Sequence, residues 1–142
     1  MPLRSDDQQF VFLTIDDVYH LHRDTLEAEG GADGVIHPGM IEAAVAMPQQ
    51  QFGGSYLHDG LVAMAAAYLF HMCQAHGFRD GNKRVATLCS TVFLRLNGVP
   101  VDRMPDPDEF ERVVLSIASG EMSKDEVAAW LTEHVDLTDI KP

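Results

Sequence analysis

Residues 59–96 read DGLVAMAAAYLFHMCQAHGFRDGNKRVATLCSTVFLRL, two apolar segments on either side of a short polar one. Up to Ala75 the stretch is rich in Ala, Leu and Met and almost free of charge, which predicts a helix buried nearly all round. After Gly81 the apolar residues follow a helical series that Asn97-Gly98 ends, which predicts a second core helix. The inward positions are Leu61, Met64, Ala65, Tyr68 and Met72 in the first helix and Val85, Leu88, Cys89, Val92, Phe93 and Leu96 in the second.

Two helices are predicted on the N-terminal side of this pair. Thr14 with Asp17 has the pattern of a capping box, so the first helix starts there and ends at Gly30-Gly31. The second is brief, with Pro38 in its first turn and Pro48 at its end. Their inward positions are Ile15, Val18, His22 and Leu26 in the first helix and Met40, Ile41, Ala44 and Val45 in the second.

Two further helices are predicted on the C-terminal side. Asp106 is an N-cap followed by a first-turn proline, and Ser123 with Glu126 has the pattern of a second capping box. The inward positions are Phe110, Val113, Val114 and Ile117, then Val127, Trp130, Leu131 and His134. The sequence therefore predicts an all-α single domain over residues 1–142, a compact helical bundle in which Phe52 to Tyr56 forms either a loop or one small β-hairpin.

The composition is that of a soluble globular protein. The chain has 142 residues, of which 46% are hydrophobic and 23% charged, and a formal net charge of -12. Such a surface repels duplexes and anionic bilayers, so neither direct nucleic-acid binding nor membrane binding is expected. The first seven residues lack the apolar region of a secretory signal, and no run of about 18 apolar residues is present. With only Cys73 and Cys89, we expect reduced structural thiols and a cytoplasmic protein.

The polar loop and the start of the second core helix predict an anion site. A loop that enters a helix N-terminus presents free backbone amides and the positive end of the helix dipole. Gly81 allows a close backbone approach, and Asn82, Lys83 and Arg84 add donors beside the same amides. A phosphate group fits this set.

His76 and Asp80 extend the anion site toward catalysis. Asp80 beside a bound phosphate favours a magnesium ion between them, whereas an isolated aspartate here is more often a helix cap. His76 is close enough to act as a general base on a hydroxyl, because imidazole takes up a proton near neutral pH. Phe78 is expected to point into the core and hold the loop, and Arg79 to face solvent.

The order His-x-Phe-x-Asp-Gly-Asn followed by Lys-Arg at 76–84 resembles the signature of the Fic/Doc family, and specifically its Doc (death-on-curing) type. The likeness extends to His37-Pro38-Gly39, to Gln51 to Gly54 and to Phe93 to Gly98. It implies a Fic/Doc-type helical bundle. In the larger Fic branch a glycine stands at the position of Lys83 and a second arginine at the position of Thr87, and those proteins transfer AMP from ATP.

The Doc resemblance implies a toxin kinase that transfers the terminal phosphate of ATP to a threonine of elongation factor Tu, with the nucleotide bound in the reverse sense. A lysine at 83 gives a physical reason, because it fills space that a phosphate would otherwise take. The implied site has His76, Asp80 and Lys83 as catalytic residues, Asp80 as the Mg²⁺ ligand, and Gly81, Asn82, Lys83 and Arg84 as ATP ligands. Adenylyl transfer, and a catalytically weak binding partner in a toxin-antitoxin complex, remain the alternatives.

The resemblance implies three further features. A small Phd-type antitoxin neutralises such toxins, and a flap that aligns the target segment corresponds to Gln49 to Tyr56. For Phe52 to Ser55, target docking and simple turn formation have equal weight. Thr25 to Gly30 fits the loose pattern by which some Fic proteins inhibit themselves through a glutamate, here Glu29, although a helix end capped by Gly30 explains the same residues at least as well.

Overall fold

The computed structural model describes residues 9–138 and residue 140; the first seven residues, in which no secretory signal is expected, lie outside that part. Within it, six α-helices and one two-stranded antiparallel hairpin confirm the predicted helical architecture with its small hairpin. The helices are α1 Ile15–Glu29, α2 Pro38–Ala46, α3 Leu61–Ala75, α4 Asn82–Leu96, α5 Pro107–Ala118 and α6 Lys124–His134. The strands are β1 Gln51–Phe52 and β2 Ser55–Tyr56, and 3₁₀ turns span Met47–Gln49 and Val101–Arg103.

Helix α3 is the centre of the bundle. Ten of its 15 residues are buried, and it packs against α2, α4, α5 and α6. Tyr68 is fully buried, and its hydroxyl accepts the Leu13 N–H at 3.0 Å, which ties the segment before α1 to the core. No helix in the described part of the chain has both the length and the apolar composition needed to cross a bilayer.

Both predicted capping boxes are present. The Thr14 hydroxyl accepts the Asp17 N–H at 3.1 Å while the Asp17 carboxylate accepts the Thr14 N–H at 2.8 Å. Ser123 and Glu126 exchange the same pair of bonds at 3.2 and 3.1 Å. Asp106 is at the N-cap of α5, but its side chain makes no capping bond, and its backbone carbonyl accepts the Glu109 N–H instead.

The predicted inward face of α4 is partly wrong. Leu96 is 49% exposed, whereas Ala86, Ser90 and Leu94 are fully buried. Small residues allow α3 and α4 to approach closely, and the Ser90 hydroxyl donates to the Ala65 carbonyl at 2.9 Å. The buried row therefore passes through alanine and serine, which a search for large apolar residues does not select. At the edges of shorter helices Met40 and His134 are likewise exposed, contrary to expectation.

Two histidines are buried: His22, which helical periodicity placed inward, and His58. His58, which follows the hairpin, shares a cluster with His71 of α3 and Lys124 of α6. The Lys124 ammonium lies 2.9 Å from His58 Nε2 and 3.3 Å from His71 Nε2. Burial and the Lys124 charge lower the pKa of His58, and the same two causes with His58 itself lower the pKa of His71 to about 4. Both imidazoles are therefore neutral acceptors at neutral pH.

Candidate active site

Two residues in left-handed backbone conformation bound the loop between α3 and α4. His76 ends α3 with φ 48° and ψ 39°, and within residues 9–138 no other non-glycine residue has a positive φ. Gly81 precedes α4 with φ 83° and ψ 11°. These two bends bring the loop from the end of one core helix to the start of the other within a few residues. A non-glycine residue in this region is strained, and such strain occurs often at functional sites.

Asn82 and Phe78 hold the loop in place. The Asn82 side chain accepts the Phe78 N–H at 3.0 Å and donates to the Phe78 carbonyl at 2.8 Å. Phe78 is 2% exposed, which agrees with its expected inward position. The Asn82 side-chain amide thus satisfies both backbone groups of Phe78. The Asn82 backbone N–H lies in the first turn of α4.

The N-terminus of α4 has no side-chain cap and no acidic residue in its first turn. Its first amides, from Asn82 to Arg84, therefore have no intrahelical acceptor. Lys83 is exposed and Arg84 is half-buried beside them. Free amides, the helix dipole and two cations together favour a bound anion at this point.

A cleft of about 970 Å³ opens in front of this helix end, and all six predicted site residues line it. Helix α1 forms one wall and α5 the other, with an apolar part made by Leu88, Val114 and Leu115. Arg79 is exposed as expected, but it also borders the cleft and adds a further cation that sequence reasoning placed in solvent. A cleft of this size accommodates a nucleotide.

Asp80 faces the same cleft and is anchored to the segment after α1. One carboxylate oxygen, Oδ2, accepts the Ala32 N–H at 2.8 Å. Within the described residues no group of three His, Cys, Asp or Glu side chains is arranged to hold a metal ion. A single carboxylate with one oxygen left over fits Mg²⁺, which binds through one or two carboxylates and completes its shell with water and substrate phosphates.

Glu29, at the end of α1, contacts Arg84 directly. Its carboxylate lies 2.7 Å from Arg84 Nη1, and Arg84 Nη2 lies 3.4 Å from the Gly30 carbonyl. Gly30 also caps the end of α1, which agrees with the alternative explanation of Thr25 to Gly30 as a helix end. An anion bound by Arg84 would have to share or replace this contact.

The hairpin is not the segment beside the loop. None of its residues lines the cleft, and Tyr56 packs on Phe10 and Phe12 instead. The flap role of Gln49 to Tyr56 therefore stays a prediction that this cleft does not support. The segment between α1 and α2 hydrogen-bonds to the 76–81 loop instead.

Residues 34–37, named the 34–37 edge, run along that loop. The Gly77 carbonyl accepts the N–H groups of Ile36 and His37 at 2.7 and 3.0 Å, and the Gly34 carbonyl accepts the Arg79 N–H at 2.9 Å. Val35 pairs with Phe78 as an antiparallel bridge. In that pairing the Val35 N–H and carbonyl point away from the loop, so they are free for a further strand.

Both cysteines are free and buried, as expected. Cys73 lies at the cleft, where burial raises the pKa of its thiol more than the Lys83 charge lowers it. Burial raises the pKa of Cys89 to about 12. Protonated thiols are poor nucleophiles, so the cysteines contribute packing and not chemistry.

The fold and this site define a family. A model of the Fic/DOC family matches residues 12–94, and the chain belongs to that family. The chain is 34% identical over 108 residues to the Protein kinase doc of Escherichia phage P1, and the aligned region covers 76% of this chain and 82% of the relative. It is 36% identical over 104 residues to the Toxin Doc of Mycolicibacterium smegmatis, covering 73% of this chain and 80% of that toxin. The predicted Doc resemblance is thus confirmed.

Proposed function

We propose that this protein is a Doc-type toxin kinase, which transfers the terminal phosphate of ATP to a threonine or serine hydroxyl of elongation factor Tu and so blocks translation. The observation that carries the proposal is the uncapped N-terminus of α4, which shares one cleft with His76 and Asp80. The similarity to a protein named as a kinase and to one named as a toxin supports the same reading. A Phd-type antitoxin would neutralise it, and it would act in the cytoplasm, where its target is.

The phosphates would lie at the start of α4. The amides of Asn82, Lys83 and Arg84 and the two side-chain cations would stabilise their charge. Asp80 would hold Mg²⁺, which supplies charge neutralisation at the phosphate oxygens when bound. The acidic exterior makes these local cations the main attraction for a polyanion.

His76 would act as the general base. Its ring is exposed at the mouth of the cleft. It would take the proton of the acceptor hydroxyl while that oxygen bonds to the γ-phosphorus and the bond from phosphorus to the β,γ-bridging oxygen breaks, releasing ADP. The proton then returns to solvent from the imidazole.

The 34–37 edge would align the acceptor. A target segment that adds as a strand would hydrogen-bond to the free N–H and carbonyl of Val35. The side chains of Val35, Ile36 and Met40 are between 45% and 52% exposed there, so a docked segment would also cover apolar surface. Because this edge is hydrogen-bonded to Gly77 and Arg79, a hydroxyl-bearing residue of the docked segment would lie near His76.

Lys83 and Thr87 argue for phosphoryl transfer over adenylyl transfer. Thr87 occupies the position at which the Fic branch has its second arginine, and it lines the cleft. Its hydroxyl donates to the Lys83 carbonyl at 3.4 Å. The Lys83 ammonium adds charge where an unsubstituted glycine leaves space for another phosphate.

Labelled ATP tests the direction of transfer. Purified protein is incubated with elongation factor Tu, Mg²⁺ and ATP labelled in either the γ- or the α-phosphate. Label on the target from γ-ATP alone supports the proposal, and label from α-ATP alone would overturn it in favour of adenylyl transfer. His76→Ala should lose transfer but keep its helical circular dichroism; growth arrest by the wild-type chain and not by this variant would exclude a purely binding role.

A further inference from the structure

His22 lies on α1, outside the 76–84 sequence, yet it contacts the loop at two points. Its Nε2 is 2.7 Å from the Asp80 carbonyl oxygen, so the Nε2–H donates a hydrogen bond to that carbonyl. Its ring stacks on Phe78, with centroids 3.8 Å apart and an interplanar angle of 13°. The side chain is 4% exposed.

The contact fixes Asp80 from a second side. The Asp80 carboxylate is bound by the Ala32 amide, and its carbonyl is bound by His22. The backbone and the side chain of one residue are therefore anchored to α1 and to the segment that follows α1. Among the described residues, Asp80 Oδ1 has no hydrogen-bond partner, so it is the oxygen left for a ligand.

Gly81 is enclosed by the same part of α1. A Cβ atom at Gly81 would lie 3.2 Å from Thr25 Oγ1 and 3.4 Å from the His22 ring, and Gly81 has a positive φ. The Thr25 hydroxyl in turn donates to the His22 carbonyl at 2.6 Å. Helix α1 thus packs directly on the turn that starts α4. This packing fixes the orientation of the first backbone amides of α4.

We infer that His22 is a positioning residue of the site, whose Nε2–H holds the Asp80-Gly81 turn so that the Asp80 carboxylate and the α4 amides face the same phosphate. This inference rests on the proposed function for its catalytic consequence, but the hydrogen bond itself does not depend on it. A residue that only filled the core would need the ring and not the nitrogen. The stacking and the hydrogen bond can therefore be separated by substitution.

Two variants separate them. His22→Phe keeps a flat ring against Phe78 and removes the donor, whereas His22→Gln keeps an N–H donor at nearly the position of Nε2 and removes the ring. His20→Gln, at an exposed position of the same helix, is the control. Loss of a hydrogen bond that orients a metal ligand typically costs about 10- to 100-fold in activity or metal affinity, and His22 would orient Asp80 through its backbone carbonyl.

For phosphoryl transfer we expect His22→Phe to lose about 10- to 100-fold in kcat at saturating Mg²⁺-ATP. His22→Gln should recover most of that loss and His20→Gln should keep the wild-type rate. The melting temperature of each variant shows whether it is folded. Wild-type kcat in folded His22→Phe, or equal impairment of His22→Gln and His22→Phe, would overturn the inference.

A measurement without nucleotide tests the hydrogen bond alone. Backbone amide hydrogen exchange at Gly81 and Asn82 is compared in the free proteins. We expect faster exchange in His22→Phe and near wild-type exchange in His22→Gln; unchanged exchange in His22→Phe would overturn the positioning role. If the wild-type chain transfers no label from ATP, the proposed function fails while this measurement still decides the role of His22.

Discussion

Arg84 has two possible partners at the site, Glu29 and a phosphate. The Glu29-Arg84 pair is open to solvent, with 55% and 37% of the two side chains exposed, and such pairs contribute about 0–1 kcal/mol. Glu29→Gln should therefore lower the Kd for ATP by up to about fivefold. In the variant, Arg84 does not have to give up an ion pair before it binds a phosphate. Titration calorimetry with Mg²⁺-ATP measures the effect.

Glu27→Gln is the matched control, since Glu27 is an exposed acid on the same helix. It removes the same charge and should leave the dissociation constant nearly unchanged. Weaker ATP binding by Glu29→Gln would show that Glu29 orients Arg84 for the nucleotide, and the competition suggested by the contact would be wrong.

Gly77 has no room for a side chain. A Cβ atom there would lie 2.2 Å from Ile41 Cγ1 and 3.1 Å from the His37 carbonyl oxygen, and Ile41 is fully buried. Gly77→Ala should cost about 1–3 kcal/mol in the free energy of unfolding, which urea denaturation measures. Gly39→Ala, where nothing lies within 4 Å, should be neutral or slightly stabilising. Equal stabilities of the two variants would contradict the crowding at Gly77.

At the scale of single residues, the sequence predicted the groups that carry charge and missed the groups that hold them. His76, Asp80 and Lys83 were proposed from chemistry that is visible in the order of residues, and all three line one cleft. Helical periodicity placed His22 inward, but nothing local to the sequence relates it to Asp80, 58 positions away. The role of Asn82 was also incomplete, since its side-chain bonds to Phe78 depend on the loop geometry.

Among the elements, the junction of α3, α6 and the hairpin should respond to acid. The pKa of His71 in the folded protein is about 4 and that of His58 is lowered, while in the unfolded chain both are near 6.5. The unfolded chain thus binds more protons between these values, so stability is full above about pH 6.5 and falls as the pH drops toward 4. Because His71 is partly exposed, we expect a loss of about 1 kcal/mol from pH 7 to pH 5 for this residue.

Thermal unfolding across this pH range measures the loss. His71→Gln keeps a side-chain oxygen that accepts from Lys124 and removes the titration, so its stability should fall less steeply between pH 7 and pH 5. His20→Gln should retain the wild-type slope. A slope in His71→Gln as steep as in the wild type would mean that other groups cause the acid response.

Element boundaries followed well from local signals. Both capping boxes and the glycine and proline stops predicted α1, α2 and α6, because those signals act within a few residues. The segment that pairs with the 76–81 loop is residues 34–37, whereas the sequence drew attention to the hairpin at 51–56, because neither segment carries a local signal for a contact with that loop. Only the tertiary pairing of Val35 with Phe78 distinguishes them.

For the whole molecule, the net charge of -12 predicts weak binding of nucleic-acid duplexes. The cations of the cleft occupy a small area of an acidic surface, so a duplex cannot neutralise several phosphates on it at once. A gel-shift assay with duplex DNA at physiological salt should show no complex at about 10 μM protein. A retarded band that weakens with added salt would contradict the expectation.

The backbone of His76 has a consequence for how this chain can change. A left-handed histidine costs about 1 kcal/mol relative to glycine at the same position. His76→Gly would therefore remove the imidazole and at the same time relax the end of α3, giving a protein that is harder to unfold. With His76 as the proposed base, activity and robustness oppose each other at this residue, so selection for abundance or heat resistance alone would eliminate the histidine, and only selection for its chemistry would retain it.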